Sequence, residues 1–476
     1  MLMMSFTLDN FILLIFVIYL ACASYKDIGK SKNINVYAVG QRSFSTFALG
    51  ATITATFVSG SGFVLDLTEF YTNGWKFLCP VLCMIISFVL VATFIVPKMK
   101  RFLGKTSVAT IMGEEYGQTV RFITAIAGVL GSVGMIAIQF KIMGNVVHTY
   151  IPDLSWQMWA IIFGLITTGY TVLGGIHSVV HTDIIQSICF VISICVATTL
   201  LYTKISGLPL EEVVKVDKSH FDIMSIFTLK GQELESMILL GLYFLVPSMS
   251  PTIVQRISMG FSISQIKKSY LYSSLLIFVV ILFTCLISYL LFEANSGKPI
   301  DNILEHFLKL FTMPGTKAIV VIGMLSMCMS TADSNINICS VLIANDMWKS
   351  NVTNNMDKLL YARYYGIAIG IISILFSLYE GTLLSFLLSF WCFYMGLVSI
   401  PLLAVIFGFK ITELCCLITM GVVFSYVVIF KFILNPSFNI IPSAMLFNLI
   451  ILATSHYLIE KWEILKCFGI TSKLKK

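Results

Sequence analysis

A group of polar residues sits inside a stretch of apolar sequence long enough to cross a bilayer, Ala318 to Ser340 (AIVVIGMLSMCMSTADSNINICS). Read as a helix, Ser326, Ser330, Asp333, Asn337 and Ser340 follow a 4, 3, 4, 3 spacing, with Ser334 beside Asp333. Hydroxyl, carboxylate and amide oxygens therefore share one stripe. At about 1.5 Å per residue this helix is roughly 35 Å long, which puts Ser330 and Thr331 near the membrane midplane. Hydrocarbon rejects an ionised carboxylate, so an Asp on such a stripe marks a functional site by default. Hard oxygen ligands without thiols or imidazoles suit a hard cation such as sodium rather than a transition metal. The competing reading is that the hydroxyls bond back to carbonyls one turn earlier, as is common in membrane helices.

The elements that must position this stripe are membrane helices. The chain has 476 residues, of which 58% are hydrophobic and 12% charged, and its mean hydropathy of +0.92 lies far outside the soluble range. These values predict an all-α polytopic membrane protein embedded in a lipid bilayer. About 13 apolar spans follow one another, near 8–24, 46–71, 77–97, 121–147, 156–173, 182–203, 237–254, 269–292, 317–345, 360–378, 382–408, 411–431 and 441–458. The net charge of +7 does not indicate nucleic acid, because the Lys and Arg lie in short loops between spans and form no basic face or arm.

Those charges set topology instead. An odd number of spans puts the termini on opposite sides. With the N-terminus outside, Lys26, Lys30, Lys32 and Arg42, then Lys98, Lys100, Arg101 and Lys105, then Arg256, Lys267 and Lys268, and the tail from Lys461 to Lys476 all fall inside. The longest outer loops, 204–236 and 293–316, are exceptions with room for short helices such as Ile300 to Phe311. The run ending in Ala21-Cys22-Ala23 lacks a basic start and carries Asp9, so it reads as a retained first helix rather than a signal peptide. The sequon Asn351-Val352-Thr353 falls inside. None of the 12 cysteines lies in a loop expected outside, and no CxxC occurs, which argues against disulfides and structural zinc.

Two spans are interrupted in a matching way. The second carries Ser59-Gly60-Ser61-Gly62 at its middle and the seventh carries Pro247-Ser248-Met249-Ser250-Pro251. Such breaks free backbone groups, which are tolerated at membrane depth only where they line a cavity or bind a ligand. The breaks are five spans apart, so the two segments run in opposite directions, as in a five-helix unit repeated with inverted topology. The expected organisation is 1–45, an extra N-terminal helix and basic inner loop; 46–203, the first five-helix repeat; 204–236, an outer loop; 237–408, the second repeat; and 409–476, two C-terminal helices and a basic cytoplasmic tail.

From about Tyr37 to Phe409 the sequence resembles the sodium:solute symporters, the family of the sodium/proline and sodium/sugar cotransporters. The resemblance rests on Ala55-Thr56-Phe57-Val58-Ser59-Gly60, on Gly174-Gly175 with Val179, Thr182-Asp183 and Gln186, on Pro251 with Gln255-Arg256, and on Ser330-Thr331-Ala332-Asp333-Ser334. It implies a leucine-transporter-type 5+5 inverted repeat with broken helices in spans 2 and 7, and solute uptake driven by co-transported Na+. Carried over by position, it implies a main sodium site of the Ala55, Val58 and Met327 carbonyls with the Ser330 and Thr331 hydroxyls. It also implies a second sodium or a proton at Asp183, Asp333 and Ser334. Asp183 opens a span at the inner surface, where capping a helix N-terminus is the alternative role.

A solute pocket is then expected beside both breaks, lined by spans 2, 3, 4, 7 and 11, with Thr56, Phe57, Ser59, Gln139, Tyr243, Trp391 and Tyr394 as candidates. Lys141 and Asp66 reach similar depths in the outer half. They suit a substrate carboxylate and amine, which would select an amino acid or related zwitterion; alternatively they neutralise each other, or Lys141 snorkels outward. Phe57, Tyr243 and Pro247 replace residues of the proline transporter's own pattern, which speaks against proline. A sugar or organic acid, or a transporter-like sensor, are the alternatives. An enzyme is not expected: His177 and His181 have no acid between them and no partner in the second repeat. The expected location is the plasma membrane (the inner membrane of a bacterium), multi-pass, with the C-terminus cytoplasmic.

Overall fold

A computed structural model of the chain describes residues 8–206, 221–247, 249–295, 297–347, 355–379, 383–434 and 441–467. The sequon, Ser248 of the second break, much of the 204–236 loop and the end of the basic tail lie outside them. The described residues are helical and contain no β-strand. In chain order the helices are α1 (Leu8–Tyr25), α2 (Ile34–Val39), α3 (Thr46–Phe57), α4 (Gly60–Asn73), α5 (Leu78–Leu90), α6 (Val108–Tyr116), α7 (Gln118–Tyr150), α8 (Trp156–Gly174) and α9 (Ile176–Ser206). There follow α10 (Gly231–Leu245), α11 (Pro251–Ser258), α12 (Ile263–Ala294), α13 (Ile303–Lys309), α14 (Thr316–Val341), α15 (Asn355–Ser377), α16 (Leu383–Phe407), α17 (Glu413–Val428) and α18 (Ile441–Cys467). Among the described residues, 11 helices are long and apolar enough to cross a membrane. The second and seventh expected spans do not add to that number, because each is cut into shorter pieces. The short α13 lies within the helix expected at 300–311.

Both cuts follow from local chemistry. Helix α3 starts at Ser45, whose hydroxyl accepts from the Ala48 amide at 3.1 Å. It ends where Val58 leaves helical geometry at ψ 87°. Ser59 is extended and caps α4, its hydroxyl accepting from the Gly62 amide at 2.9 Å. Gly60 is required for contact: a Cβ there would lie 2.1 Å from Cys328 Sγ on α14. In the other break α10 ends at Val246, and α11 restarts with Pro251 in its first turn and Ser250 as cap, accepting from the Ile253 amide at 3.2 Å.

Helix α14 lies at the centre of the bundle and is buried almost throughout. Its N-terminus is capped from a distance by Asp9 of α1, which accepts from the Gly315 and Ala318 amides at 2.7 and 3.2 Å. That explains the acidic residue at the start of the first helix. Gly323 allows α14 to press on Ser193 of α9, where an added Cβ would lie 2.1 Å from the serine side chain. Helix α12 runs parallel to the broken second span. Ser269, Ser273 and Ser288 donate to the Thr46, Gly50 and Leu67 carbonyls at 2.9, 2.8 and 3.0 Å, a near-constant register that braces both halves of the break.

Candidate cation and solute site

The C-terminal turn of α3 carries carbonyls that the helix itself cannot satisfy, and the helix dipole makes that end electronegative. Two of these carbonyls face α14. Ser330 Oγ donates to Ala55 O at 2.8 Å, and Thr331 Oγ1 donates to Thr56 O at 3.3 Å. Both hydroxyls also reach Met327 O, each at 3.2 Å. Ala55, Val58, Met327, Ser330 and Thr331 are all buried. Of the five positions implied for the main cation site, Ala55, Met327, Ser330 and Thr331 meet where the interrupted helix touches α14, with Val58 at the break itself; the hydroxyls bond back along their own helix and also across to the break. The oxygens are neutral, hard and water-excluded, a donor set suited to a bare monovalent cation.

Next to this cluster lies a second one that contains a fixed positive charge. Asp183 is fully buried in the third turn of α9, well inside the helix that begins at Ile176, so it caps no N-terminus. Thr52 donates to its Oδ2. Asp333 accepts from Tyr170 OH at 2.8 Å and from Thr182 Oγ1 at 3.3 Å. Between them lies Arg256, the largest of the fully buried side chains, at 1% exposure. Its Nη2 is 3.5 Å from Asp183 Oδ2 and donates to Ser334 Oγ at 2.5 Å and Thr56 Oγ1 at 3.2 Å. The topology reading treated Arg256 as an inner-loop cation. The structure instead buries it in α11, because the restart at Pro251 turns this helix into the bundle. Gln255 holds it there, accepting from Nη1 at 3.3 Å and donating to Ala38 O at 2.7 Å and Asn337 Oδ1 at 2.9 Å.

The solute candidates are only partly brought together. Gln139 is fully buried and clamps the start of α4, donating to Ser61 Oγ at 2.8 Å and accepting from the Ser61 amide at 3.3 Å. Ser59 is occupied as a cap, and the Thr56 hydroxyl faces Ser334 and Arg256. Phe57 packs edge-on against Phe88, at 4.5 Å between ring centroids. Trp391 and Tyr394 lie 6.0 Å apart, and Tyr394 OH donates to Met249 O at 2.6 Å, tying α16 to the second break. Tyr243 is half-buried beside Phe244. Lys141 donates to Tyr379 O at 2.9 Å and lies over the Trp156 ring, while Asp66 is half-buried on α4. No ion pair joins the two among the described residues.

Sequence reasoning missed a polar cluster at the end of α14 opposite its Asp9 cap. The helix widens there into a π turn at Leu342–Met347, and Asp346 is buried in it. Its carboxylate receives Arg121 at 2.6 Å, Ser107 at 2.5 Å and Thr110 at 2.9 Å. Asn345 adds bonds to Thr106 and Thr110 at 3.0 and 3.2 Å. The available signal was an Asn-Asp pair closing an apolar span opposite a Thr-Ser pair ahead of α6.

An all-helical membrane bundle with two interrupted helices around buried, hard oxygens is the architecture of a secondary transporter. The family model for SSF: Sodium:solute symporter family matches residues 37–422, and the chain belongs to that family. Among its relatives are the sodium/sialic acid symporter NanT of Aliivibrio fischeri, 22% identical over 70% of this chain and 68% of that protein, and the human sodium-coupled monocarboxylate transporter 2, 25% identical over 68% of this chain and 54% of that protein. The fold is similar to the substrate-bound outward-open structure of a Na+-coupled sialic acid symporter described as having a novel Na+ site. The TM-score is 0.83 at 17% identity, covering 95% of this chain and 98% of that one. It is also similar to Mhp1, a nucleobase-cation-symport-1 family transporter, with a TM-score of 0.58 at 13% identity over 93% of this chain and 96% of that one. The fold is therefore of the leucine-transporter type. The protein is a multi-pass, sodium-coupled symporter of a small solute and not an enzyme.

Proposed function

We propose that this chain carries a small organic zwitterion, an amino acid or a relative of one, into the cell by alternating access, with the N-terminus outside and the C-terminus cytoplasmic. In this reading one sodium ion binds among the Ala55, Val58 and Met327 carbonyls and the Ser330 and Thr331 hydroxyls. The segments 46–203 and 237–408 are the two repeats that move against each other around it. The observation that carries the reading is the meeting of α14 hydroxyls with the unsatisfied carbonyl end of α3. A cation there contacts both repeats, so its affinity depends on how they are arranged. The solute lies beside the same breaks, within reach of Phe57, Gln139, Trp391 and Tyr243.

Within this reading Asp66 is the better-supported solute contact, for an amine, because it is half-buried and no hydrogen bond or ion pair engages its carboxylate among the described residues. Lys141 is already engaged by Tyr379 O and Trp156, which favours a structural role for it. An organic acid is the second reading. It is favoured by relatives named for sialic acid and monocarboxylates.

The test is a thermal-shift screen of amino acids, sugars and organic acids with and without sodium, followed by uptake of the hit into proteoliposomes. Accumulation above the outside concentration, only under an inward sodium gradient, is expected. Asp66→Asn should raise the half-saturating concentration of a zwitterion at least about tenfold. Lys141→Met should leave it within about twofold. Equilibration without accumulation would remove the symport reading, and an effect confined to Lys141→Met would favour the organic acid.

A further inference from the structure

We infer that the short 3₁₀ helix Ile223–Thr228, which leads into α10, lies at the membrane–water boundary and buries Ile223, Met224 and Phe227 among phospholipids. The leaflet is the outer one in the orientation proposed above. Asp222 caps this helix, its carboxylate accepting from the Met224 amide at 3.0 Å. With three residues per turn, Met224 and Phe227 stand one above the other, and Ile223 adjoins them. Their exposures are 61% for Met224, 80% for Phe227 and 60% for Ile223. Three large apolar side chains together on one exposed face are costly in water and mark a contact surface.

The neighbours of this segment fix its depth. Phe221, just ahead of it, packs on Tyr289 and Phe292 of α12 at 5.2 and 5.4 Å between ring centroids, where the apolar run of α12 closes before Glu293. The 3₁₀ helix itself packs on the turn Gly74–Phe77, directly ahead of the apolar run of α5. Lys76 of that turn pairs with Glu233 in the first turn of α10 at 2.5 Å. The segment is therefore level with the ends of three membrane helices. Its exposed face continues that of α10, where Leu234, Ile238 and Leu242 are exposed at helical spacing. The other face of α10 is buried at Met237 and Gly241, with Gly241 beside Cys83 of α5. Acyl chains cover the exposed stripe of α10, so their boundary with the headgroups runs past Phe227. The charged Asp222 and Lys230 flank the apolar face, the arrangement of an interfacial segment. Helix α10 has 15 residues, about 22 Å of length, too few to match the hydrocarbon thickness and so to set its own depth. An anchor in the boundary holds its start, and through it the position of the break at Val246.

The test places a photoreactive probe at the contact, Phe227→p-benzoylphenylalanine, in the full-length chain held in nanodiscs of a single phosphatidylcholine. Irradiation and intact-mass measurement should show a gain of one phospholipid mass. Its yield should be within about twofold of that from Ile238→p-benzoylphenylalanine, on the exposed stripe of α10, and at least about tenfold above that from Asp301→p-benzoylphenylalanine, an exposed polar loop position. A yield at the Asp301 level overturns the inference, because position 227 then faces water or another part of this chain. A covalent pair of chains overturns it as well, in favour of a second copy as the occupant. A monodisperse elution profile shows that each variant folds. Should the Phe227 variant not fold, the same probe at Met224 decides, with the same yields expected. None of these outcomes depends on the sodium or solute readings.

Discussion

Removing the α14 hydroxyls one at a time tests the sodium site without knowledge of the solute. Ser330 Oγ donates to Ala55 O and Met327 O, and Thr331 Oγ1 to Thr56 O and Met327 O. With sodium bound, each hydroxyl instead turns its oxygen to the ion, a contact to a charge worth about 1.5–3 kcal/mol. Alanine forfeits that contact. It also removes about 1 kcal/mol of hydrogen bonding from the sodium-free state, because the break carbonyls lose their donor. The difference, about 0.5–2 kcal/mol, corresponds to a rise in half-saturating sodium of roughly 2- to 30-fold for each single variant. The two effects should not simply add, since both hydroxyls share Met327 O. The assay is the apparent Tm of the purified full-length chain, with sodium titrated against N-methylglucamine at constant ionic strength. Each tenfold weakening removes about 1.4 kcal/mol of sodium-linked stabilisation at saturation. Thr331→Ser keeps its hydroxyl and should stay within about twofold of wild type. A sodium dependence unchanged in Ser330→Ala, Thr331→Ala and the double variant would refute the assignment of these oxygens.

Gly60→Ala should lower stability by about 1–3 kcal/mol through overpacking, since its Cβ would meet Cys328 Sγ at 2.1 Å. Adding Cys328→Ala should recover part of that loss in Tm, and no recovery would mean that the contact is not the cause. Tyr394→Phe leaves Met249 O without its buried donor, so the unfolding free energy from denaturant titration should fall by about 1–3 kcal/mol while half-saturating sodium stays unchanged. Asp346→Ala strands Arg121 against Ser107 and Thr110 and should cost about 2–4 kcal/mol by thermal unfolding, with Asp346→Asn in between. An exposed, weakly coupled pair would instead give less than about 1 kcal/mol.

The helices and their interruptions were legible because both are written in local composition. Apolar runs of fixed length give the spans, and Ser59-Gly60 and Pro251 mark the points where helices stop and restart. The stripe on α14 was legible for the same reason, since helical spacing puts its oxygens on one line. What local composition could not give is which side chains cross from one helix to another. Hydropathy counts any Arg as exposed and so places Arg256 in a loop; only the turn of α11 into the bundle beside Asp183 reverses that. An apolar run that starts at 182 leaves Asp183 open to a capping role, whereas the helix begins at Ile176. The serines of α12 do lie on one helical face, at 269, 273 and 288. Their meaning needed the parallel register with the broken span, a relation between elements far apart in sequence.

The coupling proposed here depends on ownership of the ligands. An ion bound wholly within one rigid unit has equal affinity in both arrangements of the carrier and shifts no population, however tightly it binds. Here Ala55 and Thr56 belong to the first expected repeat and Ser330 and Thr331 to the second, so sliding one against the other by an ångström or so separates carbonyl from hydroxyl. Gly60 against Cys328 makes that sliding abrupt, because close-packed surfaces have distinct fits rather than a continuum of them. Arg256 bears on the same seam. It sits on α11 of the second expected repeat and donates to the Thr56 hydroxyl of the first, while the Thr56 carbonyl accepts from Thr331, so the last turn of α3 is held from two elements of the other repeat.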